Sequence, residues 1–332
     1  MDRRWSLVGT FHAFDITDTL SGSDYQPPGG TMYRLLGAVA VAVAAPALVW
    51  SAAWAATPHG VDAAPHKAAA APSEIDAASR SADHVSNIAH RAGAAYAPEN
   101  TLAACAESGR EGADACEFDI QQTKDHELVL MHDQTLSRTT NVEKLFPDRS
   151  PWRVADFTLA EIRRLDAGSW FSSNFRGEKV PTLEEALQAM DRYGVGLMLE
   201  IKHGAPNAGI DRRVADVLKG HRSWWRSGGV AVQAFDWKAM RNFHGMMPEV
   251  PIVLLGNMTV KQLSGFSDFA QGICRPHSKL SAHLVTTAHD NGLRVYTGTT
   301  DKPGLMRRML SYGVDGIMTN LPGRLADVMG AR

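Results

Sequence analysis

Ala115-Cys116-Glu117-Phe118-Asp119-Ile120 sets two acids at alternate positions of an otherwise apolar run. A strand sends successive side chains to opposite faces, so Ala115, Glu117 and Asp119 share one face and Cys116, Phe118 and Ile120 the other. The apolar face suits packing under helices, which turns both carboxylates toward the inside of a sheet. Gly196-Leu197-Met198-Leu199-Glu200-Ile201-Lys202 repeats the arrangement, with Met198, Glu200 and Lys202 on one face and Leu197, Leu199 and Ile201 on the other. Uncompensated charge in such an interior is costly, so a cation is expected to meet these acids.

Outward from these two runs the chain alternates short apolar stretches with amphipathic ones, the pattern of repeated β-α units around a parallel sheet. Eight apolar runs begin near Asn87, Ala113, Gly196, Gly229, Pro251, Ala270, Leu293 and Val314. Helical patterns cover 100–111, 182–193, 211–221, 279–291 and 302–312. Eight units predict an α/β fold, a closed (β/α)8 TIM barrel, which commonly takes about 250 residues. An open doubly wound sheet is the alternative, but no Gly-x-Gly-x-x-Gly follows the first strand. One stretch, 128–131, follows the second strand too closely for a helix to intervene. It is expected to return as a hairpin about Lys124-Asp125-His126, bringing His132 to the rim that Glu117 and Asp119 approach. Residues 137–180 show no barrel unit and are rich in tryptophan, proline and glycine, as in Asp166-Ala167-Gly168-Ser169-Trp170-Phe171. A small inserted subdomain at a strand's C-terminal end is expected there.

The chain has 332 residues, of which 44% are hydrophobic and 21% charged, enough apolar material for a large core and too much for wholesale disorder. With 34 basic and 36 acidic side chains the net charge is -2, so no global field steers it to nucleic acid. The partition is therefore one barrel domain over 86–332 behind an N-terminal extension. Within that extension, 1–31 is an acidic-leaning tail of uncertain status, and Met32 is a candidate start. Residues 35–56 form an alanine-rich apolar run broken by Ser51, preceded by Arg34 and ending in the small-x-small site Ala53-Trp54-Ala55. A signal peptide over 32–55, cleaved after Ala55, is expected, with an uncleaved membrane anchor as the alternative. Residues 56–85 read as an Ala/Pro-rich linker. The protein is then secreted or held in the cell envelope, with membrane contact confined to the signal or anchor segment or to a lipid-derived substrate. Three cysteines are too few for a disulfide scaffold. Cys105 and Cys116 either pair or stay buried and reduced.

Glu117, Asp119 and Glu200 converge from two strands without histidine or cysteine among them, which favours a hard divalent cation, Mg2+ or Ca2+, over zinc. The alternative is an internal salt-bridge cluster with Lys202 and Arg91. His90 and Arg91 end the first strand, and His132 and Asp133 end the hairpin, so two imidazoles reach one rim. Such a pair can supply a general base and a general acid, and Arg91 and Lys202 can hold phosphate oxygens. Pro98-Glu99-Asn100-Thr101 reads locally as a helix start capped by Asn100 or Thr101. Gln233, Phe235 and Tyr296 lie at strand ends, where they either line a pocket or serve as core and rim packing that needs no function, packing being slightly favoured.

His90-Arg91-Ala92-Gly93, Pro98-Glu99-Asn100-Thr101, Glu117-x-Asp119, His132-Asp133 with Leu136-x-Arg138-Thr139-Thr140, and Glu200-x-Lys202 together resemble the ordered motifs of the glycerophosphodiester phosphodiesterase family. The resemblance extends over residues 86–328. It implies hydrolysis of a small-molecule glycerophosphodiester to an alcohol and glycerol 3-phosphate, in related enzymes through a cyclic phosphate that water then opens. It also implies acid/base roles for His90 and His132, metal ligation by Glu117, Asp119 and Glu200, and phosphate contacts from Arg91 and Lys202. Only through this resemblance do Glu99 and Asn100 become candidate substrate-binding residues. The chain departs from the family pattern at Ala92, where glycine is common, at Tyr296 for a tryptophan, and at Asn320 for an aspartate; the last two bear on the headgroup. Two other functions remain open: a barrel phospholipase acting on intact lipid, for which Trp170, Phe171 and Phe175 would supply an apolar rim, and a non-catalytic exported binding protein. No cysteine follows the apolar run, so a lipoprotein anchor is unsupported.

Overall fold

A computed structural model describes residues 84–225 and 229–330. The tail, the signal or anchor segment and the linker through residue 83 lie outside the described residues. His84 and Val85, at the end of the expected linker, already touch the domain: His84 Nε2 lies 3.1 Å from Asp114 Oδ2, and Val85 packs on the core.

Eight strands close a parallel barrel. They are β1 (Ser86–Ala89), β2 (Ala115–Gln122), β4 (Gly196–Ile201), β5 (Val230–Ala234), β6 (Ile252–Leu255), β7 (Gly272–Pro276), β8 (Arg294–Gly298) and β9 (Gly316–Thr319). Each pairs with its neighbour in parallel, and β1 joins both β2 and β9, which seals the ring. The remaining strand, β3 (Leu128–Leu130), pairs antiparallel with β2, as the spacing of 128–131 required. The tight return between them passes through His126 in a left-handed conformation, φ 67°.

Helices cover the outside: α1 (Leu102–Arg110), α4 (Leu183–Tyr193), α5 (Ile210–Gly220) with the short α6 (Arg222–Trp225), α7 (Trp237–Met246), α8 (Ala282–Asp290), α9 (Pro303–Ser311) and α10 (Pro322–Gly330). Short polar side chains start several of them by accepting an amide hydrogen that has no partner within the helix. Thr101 Oγ1 does so for Ala104 N at 3.2 Å and Asp236 Oδ1 for Ala239 N at 2.9 Å. After β6 the covering element is a 3-10 helix, Val260–Gly265. Two further one-turn helices, α2 (Val142–Leu145) and α3 (Leu159–Ile162), lie in the insertion.

The main core lies between strands and helices, where Cys116, Phe118, Ile120, Leu197, Leu199 and Ile201 are buried together. A second, inner cluster joins Ile88, Met198, Val253, Leu255, Cys274 and Met318, packed with Tyr296. The alternation read from β2 and β4 thus separates outward-facing apolar side chains from an inner layer that ends in charge. The insertion packs Val142, Val154, Phe157, Ile162 and Leu165 together with Val129, Met131 and Leu136 of the hairpin and its exit in a separate core.

Candidate active site

Barrel register brings the acids together. Asp119 on β2 stands opposite Glu200 on β4, and Glu200 opposite Gln233 on β5, so one row runs across three strands. Glu117 and Asp119 are each 1% exposed, and ligand oxygens of Glu117, Asp119 and Glu200 all lie within 4.8 Å of one another.

Lys202, past the end of β4, bonds Asp119 Oδ1 at 2.8 Å and Glu200 Oε1 at 2.6 Å. Arg91 does not join as a charge. Its backbone N–H donates to Glu117 Oε2 at 2.7 Å, while its guanidinium turns to Glu99 at 3.0 Å. Three buried carboxylates therefore face one ammonium, and a salt-bridge cluster of lysine and arginine leaves them under-compensated. Burial first, then Asp119 and Glu200, push the Glu117 carboxyl well above its usual range. Burial likewise raises Glu200, only partly offset by Lys202. Asp119 goes the other way: burial acts to raise it, but Lys202, His132 and a hydrogen bond from Asn100 hold it at about 2. Lys202 stays firmly protonated, because the two acids outweigh the cost of its burial. An all-oxygen, over-negative pocket of this kind fits a hard divalent cation. The Gln233 amide adds to the fit, with Nε2 3.3 Å from Glu117 Oε1 and its own oxygen buried without a partner.

The turn after β1 builds the next wall. Arg91, Ala92 and Gly93 take φ of 48°, 64° and 92° in succession, a left-handed path that only glycine adopts freely. A side chain at Gly93 would meet Ser108 Oγ at 1.9 Å. Ala92, where the family favours glycine, holds the same conformation with a methyl group. This path presents the Arg91 N–H to Glu117 and carries His90 to the mouth. Asn100, also at positive φ, 57°, clasps Asp119 from both sides: Nδ2 donates to Asp119 Oδ2 at 2.8 Å, and Asp119 N donates to Asn100 Oδ1 at 3.0 Å. Thr101 caps α1, so Asn100 is spared that duty.

His90 Nδ1 lies 2.8 Å from Asn320 Oδ1. Burial, then the Arg91 charge, lower its pKa to about 4 against the opposing pull of Asn320 and Asp119, so the ring is neutral near pH 7. His132 Nδ1 meets Asp133 Oδ1 at 2.8 Å. Arg138 then links Asp133, at 2.6 and 3.0 Å, to Glu99, at 2.8 and 2.7 Å. His132, Asp133, Arg138, Glu99 and Arg91 thus form one continuous chain around the rim. Both Glu99 carboxylate oxygens are taken by these arginines, so Glu99 reaches a substrate through Arg91.

Sequence reasoning passed over Arg138 as a motif letter and Gln233 as packing; their spacing from Glu99 and Glu117 carries no signal, because the contacts cross between elements. Tyr296 is a packing residue, as its strand-end position favoured: it packs in the inner cluster, and a side chain at Gly316 would strike its ring at 2.6 Å, so it fills the barrel interior instead of lining the headgroup site that the family pattern suggested. Asn320 is likewise engaged by His90 and Asp301. A cavity of about 670 Å³ opens beside the acids, lined by Glu200, Lys202, His203, Phe235, Asp236 and Trp237, with Phe235 63% exposed.

Phosphoryl transfer asks little covalent chemistry of a protein and much charge compensation and proton handling. A barrel mouth made in this way is that of a phosphoester hydrolase. Residues 90–324 match the glycerophosphoryl diester phosphodiesterase family. The chain is 33% identical over 261 residues to a glycerophosphodiester phosphodiesterase of Bacillus subtilis (strain 168), covering 73% of this chain and 85% of that one. It is 34% identical over 245 residues to one from Caldanaerobacter subterraneus, covering 73% and 96%. Its fold is similar to an Oleispira antarctica phosphodiesterase in complex with the product sn-glycerol-3-phosphate, with TM-score 0.66, 26% identity and coverage of 73% and 96%. The chain belongs to the glycerophosphoryl diester phosphodiesterase family, and it is an enzyme of that class.

Proposed function

We propose that the protein hydrolyses glycerophosphodiesters to an alcohol and glycerol 3-phosphate, using a divalent cation, Ca2+ or Mg2+, held by Glu117, Asp119 and Glu200. One observation carries this reading: three buried carboxylates facing a single lysine, beside a neutral imidazole, at the mouth of the barrel. The product bound to the Oleispira enzyme agrees with it. When bound, the cation would polarise a phosphoryl oxygen. Arg91 and Lys202 neutralise the phosphate oxygens. His90 takes the proton of the attacking hydroxyl, either water or the neighbouring hydroxyl of the glycerol moiety. His132, oriented by Asp133, gives a proton to the departing alcohol oxygen as its bond to phosphorus breaks. In the second case water opens the cyclic phosphate with the two imidazoles in exchanged roles. The alcohol group rests in the cavity beside Glu200 and Lys202, against Phe235 and Trp237.

Export fits this reading. Cys105 and Cys116 form a disulfide between α1 and β2, a bond that persists in oxidising compartments. It agrees with a signal peptide over 32–55 and a secreted or envelope location. Among the described residues no helix is long and apolar enough to cross a membrane.

The test is a panel of glycerophosphodiesters and intact phospholipids assayed with and without chelator. Glycerol 3-phosphate release from the diesters, abolished by chelator and restored by Ca2+ or Mg2+, is expected. Preference for intact lipid would transfer the assignment to a phospholipase. His132→Ala should lower turnover by about 100-fold or more; full activity would remove His132 from the mechanism.

A further inference from the structure

We propose that Asp301, acting through the side-chain amide of Asn320, fixes the tautomer and orientation of His90, so that Nδ1 carries the ring proton and Nε2 is left as the basic nitrogen. The proposal rests on the reading of His90 as proton acceptor and assigns Asp301 and Asn320 as positioning residues.

Asp301 lies between β8 and α9, and Asn320 directly follows β9. Asp301 Oδ1 accepts from Thr319 Oγ1 at 2.9 Å and from the Asn320 backbone N–H at 2.8 Å, and its Oδ2 accepts from Asn320 Nδ2 at 2.9 Å. An ionised carboxylate only accepts, so the amide nitrogen of Asn320 must face Asp301. The amide oxygen then faces His90 Nδ1 at 2.8 Å. Two acceptors cannot bond each other, so Nδ1 must hold the hydrogen. A side-chain amide and an imidazole are each ambiguous in isolation; the carboxylate at one end of the chain removes both ambiguities.

The amide also separates orientation from charge. A carboxylate directly on Nδ1 would favour the imidazolium form, and a base must enter the reaction unprotonated. Asn320, standing where the family pattern suggests an aspartate, passes on the direction of the hydrogen bond while keeping the anion one residue away. The other charged or titratable groups around His90 are Arg91 from its own turn, Asp119 on β2 and His132 beyond β3, and none of them bonds Nδ1.

The experiment reads the ring nitrogens of His90 by 15N NMR in protein loaded with Mg2+ or Ca2+, alongside pH profiles of turnover. The wild-type ring should be the neutral Nδ1–H tautomer. In D301N the Asn320 amide is released, so the Nε2–H tautomer should appear and kcat should fall about tenfold or more with KM little changed. In the isosteric double variant D301N/N320D the carboxylate moves onto the ring, and the acid limb of kcat/KM should rise by about one pH unit or more. A purely structural role would lower thermal stability and leave tautomer and pH limb in place. A wild-type Nε2–H ring, a D301N ring unchanged in tautomer, or an unmoved acid limb in the double variant would each overturn the relay. His90→Ala tests the underlying reading separately: retained turnover would end the role of His90 as base whatever the tautomer proves to be.

Discussion

Glu117 illustrates how a single side chain is placed at a loss so that a site can exist. It is 1% exposed, next to two other carboxylates, and its charge is opposed only in part by the Arg91 N–H, the Gln233 amide and the Lys202 ammonium. Its folded-state pKa stands above its ordinary 4.5. An acid raised in this way contributes stability below the unfolded value and loses it as pH rises through the folded value. Glu117→Gln removes that loss. In metal-free protein the variant should therefore melt above wild type, by a margin that widens as pH rises above the ordinary carboxyl value of 4.5, and comparison of the two cancels the opposite trend from His90. The same variant should lose the rise in melting temperature that divalent cation gives wild type. Equal melting across pH would contradict the raised carboxyl, and an unchanged metal titration would remove Glu117 from the ligand set. Arg91 teaches a related point, since its sequence position suggests a phosphate-binding cation while its backbone serves Glu117 and its guanidinium is already anchored by Glu99.

At the scale of elements, β2 and α1 do most to shape the site. β2 supplies two acids, and α1 begins where Asn100 lets go of the helix to hold Asp119. The disulfide between Cys105 and Cys116 ties these elements together one residue before Glu117. Closing a loop of 11 residues should stabilise the fold by about 2–3 kcal/mol through the unfolded chain. Reduction, or paired Cys→Ala replacement, is expected to lower the melting temperature by roughly 5–10 °C, read by calorimetry with and without reductant. No change would mean that the bond adds nothing to a clamp already made by packing. Hairpin β2–β3 has a different part: its antiparallel return brings His132 and Asp133 to the rim where Arg138 joins them to Glu99.

The whole molecule turns a collection of strand ends into a site by closing. Parallel pairing of β2 with β4 sets Asp119 against Glu200, like charges directly opposite, which an isolated sheet would disfavour. The barrel tolerates the pairing because Lys202 meets both acids at the mouth, where the proposed cation would join it. Cation binding should then appear as global stability: at free metal about 100-fold above its dissociation constant the fold should gain about 2.7 kcal/mol, or roughly 5–10 °C for a domain of this size. Thermal melts across a Ca2+ or Mg2+ titration, reversed with chelator, measure it; a flat titration would contradict a metal site built into the core. The insertion shares a separate core around Phe157 and Leu165 with the hairpin residues Val129 and Met131, and its Arg138 reaches the rim at Glu99.

Periodicity alone determined that eight apolar runs form parallel β-α units, that 128–131 turns back on β2, and that Glu117, Asp119 and Glu200 face inward, because alternation along a strand is a local property fixed by backbone geometry. That the sheet closes, with β1 joining both β2 and β9, was decided by the tertiary structure. Motif order identified His90, His132, Arg91 and Lys202, but not what each side chain bonds. That Arg91 turns to Glu99, that Arg138 closes the rim, that Tyr296 fills the barrel and that Asn320 hands the direction of Asp301 to His90 were decided by tertiary structure. Each of those contacts joins side chains from different elements, and hydrogen bonds across such distances in sequence depend on strand register and loop path, which no short stretch of residues encodes.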